Sequence, residues 1–192
     1  MNKHEISVSL DPSMDGNLEA YLDELNQIDG ISIHLDIMRK SMVGHDRCTL
    51  EQYRYVVEHS RHSVDVHVMA KETLPVIGNP RCFCTHTEEM IAMDKDKNVV
   101  IVMSVKPGQS GQSFDTSALE RIKSARKNYP NARIIIDGGI NIQNISDILD
   151  VCEGAPNKQP EYTFVVGSFI YNKPTQKDRA QAVAELSDIV RR

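Results

Sequence analysis

The sequence lacks the marks of several large classes of protein. No stretch approaches the roughly 18 apolar residues of a membrane span, and the first six residues, Met1 to Ile6, do not form the apolar centre of a signal peptide. The net charge is -5, and acidic and basic residues are mixed without a basic stripe, which argues against a nucleic-acid surface. We therefore expect a cytoplasmic protein that binds no membrane and no nucleic acid and holds a small or anionic ligand locally.

Cysteine is scarce and shows no functional spacing. Cys48, Cys82, Cys84 and Cys152 form neither the paired CxxC pattern of a zinc site nor the dense framework of a disulfide-rich domain. We expect buried or idle thiols. With 192 residues, 40% of them hydrophobic, the chain is long enough for one well-buried core, so we expect a single domain over residues 1–192.

Short β-branched runs alternate with segments of helical periodicity, which is typical of βα units around a parallel sheet. Seven strands are predicted, at residues 5–10, 31–38, 63–69, 81–86, 98–105, 132–137 and 162–167. Helical patterns with polar starts occupy residues 16–29, 49–60, 115–128, 142–152 and 175–191. This order predicts either a (β/α) barrel or an open α/β sheet.

The polar faces of three strands favour the barrel. In strand 31–38, Ser32, His34 and Asp36 alternate with apolar residues, and strands 5–10 and 63–69 show the same alternation. Helices cover both faces of an open doubly wound sheet, so its strands should be apolar throughout. An antiparallel sheet with one wetted face would also alternate, but the intervening helices argue against it. We therefore predict a TIM-type barrel whose polar faces point into the lumen.

The middle of the chain is too short for a regular barrel of this type. Only residues 70–97 separate the third predicted strand from the run that begins at Asn98, and they must hold one strand and two connections. Parallel crossovers need about a dozen residues or more, and a full barrel typically needs about 250 residues. We therefore expect an incomplete or distorted barrel, about one βα unit short. Since open strand edges invite another chain, rearranged segments or a second subunit should close the breach, and we expect a homo-oligomer.

Two short histidine and aspartate pairs could meet at a cation. His34 and Asp36 are two residues apart on one predicted strand, and Asp65 and His67 have the same spacing on the next, so each pair projects from one strand face. Two imidazoles with one or two carboxylates suit zinc, iron, manganese or cobalt. Each pair alone is weak evidence, because a strand histidine is more often a hydrogen-bonded structural residue.

Glycine-rich segments follow three of the later strands. An apolar strand ends in Asp137, Gly138 and Gly139, where a carboxylate at the C-terminal tip of a barrel strand indicates function and ordinary turn formation is the alternative. The segment from Met103 to Gln112 runs into a loop that could offer backbone N–H groups to a phosphate. Gly167 and Ser168 end the last strand, where barrels frequently bind phosphate.

Taken in order, these motifs resemble those of ribulose-phosphate 3-epimerases. The resemblance runs from about Ile6 to Tyr171, with a gap in the middle, through Ser9, His34-x-Asp36-x-Met38, Asp65-Val66-His67-Val68-Met69, Val102 to Gly108, Asp137 to Asn141 and Gly167-Ser168. It implies one divalent metal ion (Zn, Fe, Mn or Co) on His34, Asp36, His67 and Asp137, with Asp36 and Asp137 as the acid/base pair. It also implies substrate contacts from Ser9, His34, His67, Met38, Met69, Met103, Gly108, Gln109, Ser110, Gly111, Gly138, Gly139, Gly167 and Ser168.

The implied reaction inverts C3 of a ketose phosphate, from D-ribulose 5-phosphate to D-xylulose 5-phosphate, as in the pentose phosphate pathway. The sequence departs from the family after Met38, where Arg39 and Lys40 replace the usual Asp-Gly, and in the glycine-rich loop, where Gln109 and Ser110 replace a hydrophobic residue and glycine. Two alternatives therefore stay open: an epimerase of another ketose phosphate such as a hexulose 6-phosphate, and a catalytically silent relative that binds a sugar phosphate for regulation.

Overall fold

Eight strands form a closed barrel, in which each strand pairs with its neighbours in chain order and the first pairs with the last. The computed structural model describes residues 4–88, 90–153 and 161–191. The predicted TIM-type (β/α) barrel is confirmed. Its strands are β1 (Glu5–Ser9), β2 (Ile31–Met38), β3 (Val64–Met69), β4 (Cys82–Glu88), β5 (Ile91–Asp94), β6 (Val99–Met103), β7 (Arg133–Asp137) and β8 (Tyr162–Val166).

Helices surround most of this barrel. An α-helix forms in each of the five segments predicted to be helical, whereas two short α-helices and the 3-10 helix Asp11–Ser13 were not predicted. The α3 helix shows why its segment folds as it does: Thr49 caps the first turn and Gln52 returns the hydrogen bond in a capping box. The helices are α1 (Leu18–Leu25), α2 (Lys40–Val43), α3 (Leu50–His59), α4 (Ala118–Asn128), α5 (Ile145–Glu153), α6 (Ser168–Tyr171) and α7 (Gln176–Val190).

Apolar residues form two separate cores. The larger lies between the strands and the helices, and side chains such as Ile33, Val66 and Ile134 point outward into it. The smaller lies inside the lumen, where Cys84, Ile101 and other residues from β4 to β8 pack together. Since β1, β2 and β3 turn polar side chains inward, the lumen has an apolar half and a polar half.

The middle of the barrel departs from the βα repeat. The β5 strand runs antiparallel to both β4 and β6, and the connection from β3 to β4 contains no helix. The turn into β6 is built locally: Asp94 accepts a hydrogen bond of 2.9 Å from the Lys97 backbone N–H, and Asn98 has a φ of 53°. Asparagine tolerates this left-handed conformation better than most residues.

The prediction of seven strands is therefore wrong, because a fifth strand lies within the short middle segment. Residues that cannot accommodate two crossover connections can accommodate two tight antiparallel turns. The breach is closed by a rearranged segment of the same chain, and no second subunit is needed for closure. The homo-oligomer stays a prediction.

The N-terminal end of the lumen is closed by an ion-pair network, which we call the floor. Asp65 is fully buried and contacts Arg81 and Arg133, with 2.6 Å between its Oδ1 atom and Nη2 of Arg133. Glu5 lies 2.5 Å from Arg81 Nη1, and the same guanidinium donates to Ser32 Oγ at 2.9 Å. Asp65 therefore has no part in the cluster with His67 that its position on the strand suggested.

Two smaller expectations are also tested. All four cysteines are free and buried, as predicted. Within the described ranges, none of the helices is long and apolar enough to cross a membrane.

Candidate active site

Three strands bring four polar side chains together at the opposite end of the lumen. His34 and Asp36 point inward from β2, and the parallel register sets Asp36 beside His67 of β3. Asp137 is the last residue of β7. One possible ligand atom from each of the four lies within 4.8 Å of the others, and all four residues are buried. This is the C-terminal end of the parallel strands, where barrels carry their active sites.

The distances within this cluster are short. The Nδ1 atom of His67 lies 3.0 Å from Asp36 Oδ1 and 3.4 Å from Asp137 Oδ2. The Nε2 atom of His34 lies 3.3 Å from Asp36 Oδ1 and 3.5 Å from Asp137 Oδ2. Each imidazole therefore faces both carboxylates, and the two carboxylates share one small volume.

The four groups shift one another's pKa. Burial lowers the pKa of His34, but the charges of Asp36 and Asp137 outweigh burial and hold it well above its ordinary value. Burial likewise lowers the pKa of His67, and hydrogen bonds to the two carboxylates raise it overall. Burial raises the pKa of each carboxyl, yet the histidines depress it below its usual range. Both carboxylates therefore stay ionised, and the cluster requires positive charge from protonated imidazoles or from a cation.

The donor atoms fit a divalent cation. His34 Nε2 is buried within 3.5 Å of both carboxylates but lacks the angles of a hydrogen bond, so among the described residues it has no hydrogen-bond partner. Nitrogen donors with carboxylate oxygens suit zinc, iron, manganese and cobalt. A cation at the centre of the group would give His34 Nε2 the partner that it otherwise lacks among the described residues.

A cavity opens above this cluster. Asp36 and Asp137 form its bottom, and His34 and His67 lie beneath, fully buried. Ser9 donates to Asp36 Oδ2 at 3.5 Å. The other residues predicted to contact substrate line the same cavity, namely Met38, Met69, Met103, Gly108, Gln109, Ser110, Gly111, Gly138, Gly139, Gly167 and Ser168.

Backbone geometry explains one glycine of this wall. Gly139 has a φ of 66°, and a Cβ atom there would lie 2.3 Å from the backbone nitrogen of Phe114. Glycine alone permits both the conformation and the contact. The segment after β7 therefore packs directly against the end of the glycine-rich loop, and a second cavity beside the first is lined by Gly139, Ser168 and Lys173.

Two residues beside the cluster lie outside the set of predicted site residues. Asp11 lines the cavity, and its Oδ1 atom lies 2.6 Å from Arg47 Nε; burial and the nearby Asp36 raise its pKa, against the opposing Arg47. Strand alternation gives no signal for it, because β1 ends at Ser9 and Asp11 begins a short 3-10 helix. His86 of β4 packs against His67, and burial lowers its pKa to about 4.

Three comparisons bear on this geometry. The sequence model described as "Ribulose-phosphate 3 epimerase family" matches residues 76–171, a range that includes Asp137 but begins after His67. The ribulose-phosphate 3-epimerase of Escherichia coli K12 is 35% identical over 89 residues, which are 44% of this chain and 36% of that protein. The ribulose-phosphate 3-epimerase of Encephalitozoon cuniculi is 28% identical over 183 residues, covering 77% of this chain and 83% of the relative.

The first curated relatives are matched over only part of their length. The chain spans about a third of them, 29% and 36% in the first two. Among solved structures, a thiamine phosphate pyrophosphorylase from Pyrococcus furiosus aligns with a TM-score of 0.55 at 16% identity, over 98% of this chain and 96% of that one. This likeness shows the fold alone.

Proposed function

The chain belongs to the ribulose-phosphate 3-epimerase family, and on that premise we propose that it is a metal-dependent epimerase that inverts C3 of a ketose phosphate. The proposed substrate is D-ribulose 5-phosphate and the product D-xylulose 5-phosphate, because this is the activity in the names of the relatives. One observation carries the proposal: two ionised carboxylates from separate strands, Asp36 and Asp137, converge with two imidazoles at the bottom of the cavity.

Inversion at C3 requires two proton-transfer groups. One removes the proton α to the carbonyl, and the other returns a proton to the opposite face of the planar enediolate. We assign these roles to Asp36 on β2 and Asp137 on β7, which line one cavity from separate strands. General acid and base catalysis is typically worth about 10²- to 10⁴-fold in rate.

Neighbouring side chains prepare the carboxylates for this role. The histidines depress the pKa of both, so each is ionised at neutral pH and able to accept a proton. His34, Asp36, His67 and Asp137 would hold the divalent cation. When bound, this ion supplies a Lewis acid that stabilises negative charge developing on the substrate oxygens.

The cavity walls suit the rest of the substrate. Met38, Met69 and Met103 place polarizable thioethers beside the carboxylates, and these offer no proton donor to compete with the acid/base pair. Gly138, Gly139, Gly167 and Ser168 lie at the side of the cavity formed by β7 and β8, and we assign the phosphate to them. The loop from Gly108 to Gly111 would cover the bound sugar.

The proposal is tested by solvent deuterium incorporation at C3 of ribulose 5-phosphate, with added divalent metal and with a chelator. We expect exchange that requires the metal and stops with the chelator. Binding of the sugar phosphate without exchange under any of the four metals would refute the epimerase and support the silent, regulatory relative. Running the assay on a hexulose 6-phosphate separates the substrate from the reaction type.

A further inference from the structure

The irregular middle of the barrel meets the cation cluster at one residue, His86. It lies on β4, beside β3, and its ring packs edge-on against the ring of His67, with centroids 4.9 Å apart and an interplanar angle of 84°. His86 does not belong to the group of four possible ligands. Its contact with the cluster is therefore through His67.

The hairpin fixes which nitrogen of His86 carries the proton. Its Nδ1 atom lies 2.9 Å from the carbonyl oxygen of Ile91, the first residue of the antiparallel β5 strand. A carbonyl oxygen only accepts, so Nδ1 must donate, and in the neutral ring Nε2 is then an acceptor. That Nε2 atom is buried and has no hydrogen-bond partner among the described residues.

His67 has the complementary need. Its Nδ1 atom faces both carboxylates of the cluster. If Nδ1 holds a cation, the proton of the neutral ring sits on Nε2. Within the described part of the chain, this Nε2 atom is also buried without a partner. A buried donor would therefore belong to one ring and a buried acceptor to the ring that packs edge-on against it.

We infer that His86 is a positioning residue for His67, and that its Nε2 atom accepts the His67 Nε2–H when the cation is bound. The inference rests on the cation site of the proposed function. A metal-ligating histidine almost always donates its other N–H to an acceptor, which sets the ring's orientation and basicity. The hairpin that replaces a βα unit thus does more than close the barrel: Ile91 orients His86, and His86 orients a ligand.

Metal affinity measured without substrate tests this inference. The full-length chain and its variants would be titrated with Zn²⁺ and with Co²⁺ in competition with a chromophoric chelator. His86→Leu removes the acceptor and keeps an apolar volume, so we expect affinity to fall about 10- to 100-fold, the usual cost of losing such a partner. His86→Gln can place an oxygen near the position of Nε2 and should recover most of that loss.

Cys84→Ala is the matched control. Cys84 is buried two residues earlier on the same inward face of β4, where its backbone pairs with His67 while its thiol lies 3.9 Å from the carbonyl oxygen of Val99. We expect this variant to keep wild-type metal affinity, and thermal unfolding of each metal-free variant reports whether the barrel is intact. Equal losses in Cys84→Ala and His86→Leu, or no recovery in His86→Gln, would indicate a merely structural role and overturn the inference.

Failure of this inference can be told apart from failure of the proposed function. Tight metal binding by the wild type with undiminished binding by His86→Leu overturns the role of His86 alone. No binding of either metal by the wild type overturns the cation site and the inference together. Metal binding that depends on His86 in a chain without epimerase activity supports the inference and refutes the proposed reaction.

Discussion

The floor and the mouth of the barrel both bury carboxylates, but they neutralise them differently. At the floor, Asp65 meets the guanidinium groups of Arg81 and Arg133, which are covalent parts of the chain. At the mouth, Asp36 and Asp137 share a small volume with two imidazoles, whose charge depends on bound protons. The floor carries permanent positive charge, whereas the mouth takes it from solution as protons or as a metal ion.

This difference separates stability from chemistry within one lumen. A buried carboxylate held by two arginines keeps its counter-charge as the pH changes, because a guanidinium does not lose its proton in a protein. A carboxylate beside titratable groups can take part in proton transfer. We therefore expect substitutions at the floor to affect unfolding and substitutions at the mouth to affect turnover.

The largest effect should come from Asp137→Asn. The amide keeps the shape of the side chain but can neither accept nor return the C3 proton, so interconversion of the two epimers should slow by at least about 10²-fold in both directions. The unfolding free energy should change far less than in a floor variant. Wild-type epimerisation by this variant would remove Asp137 from the acid/base pair.

The reverse pattern is expected for Asp65→Asn. Loss of this charge leaves Arg81 and Arg133 with Glu5 as their nearby acid at the floor, and breaking a buried pair typically costs about 3–5 kcal/mol. Urea unfolding would measure this loss, and the folded fraction should keep its exchange rate at low temperature.

The control for the floor variant is Asp29→Asn. Asp29 pairs with Arg61 on the surface, and such exposed pairs are worth at most about 1 kcal/mol. If Asp29→Asn destabilised the chain as much as Asp65→Asn, the floor would have no special role.

Added zinc should stabilise the chain through the mouth alone. At a free concentration about 100 times its dissociation constant, a ligand bound only by the folded state adds about 2.7 kcal/mol. Thermal or urea unfolding with and without zinc would show this increment in the wild type. We expect it to disappear in Asp36→Asn and to persist in Asp65→Asn, so an increment lost in both variants would contradict the separation of the two ends.

The smallest effect concerns acid. Because the folded-state pKa of Asp65 lies below its unfolded value of about 3.9, its contribution to stability is complete above that value and is lost as the pH falls toward the folded pKa. The wild type should lose up to about 1.4 kcal/mol per pH unit more than Asp65→Asn in this window. Unfolding curves between pH 5 and 3 would measure the difference, and parallel curves would contradict it.

Most of the fold could be predicted from periodicity, and the exception has a physical reason. Strands and helices with strong patterns were identified to within a few residues. The β5 strand, Ile91–Asp94, was missed because four residues carry little periodicity and because antiparallel pairing depends on partners elsewhere in the chain. The sequence showed that the middle segment is short, but it did not show that an antiparallel strand compensates for the missing βα unit.

For the site, the sequence pattern predicts which way a side chain points but not its position along the axis of the lumen. Alternation predicts that Asp65 and His67 both face the lumen, and they do. It cannot say how far along the lumen each lies, so Asp65 was first associated with the cation. Arg81 and Arg133 contained the missing signal, since they stand at the beginnings of strands and can reach only the floor.

The antiparallel middle also bears on how the barrel assembles. His86 meets Ile91 across a separation of 5 residues, while Thr163 meets Glu5 across 158. Contacts close in sequence require less loop-closure entropy and form sooner, whereas distant ones come late. We expect the β4 to β6 meander to form first, as a folding nucleus, and the seam between β1 and β8 to close last. Assembly of the barrel would then begin at the segment that departs from the βα repeat.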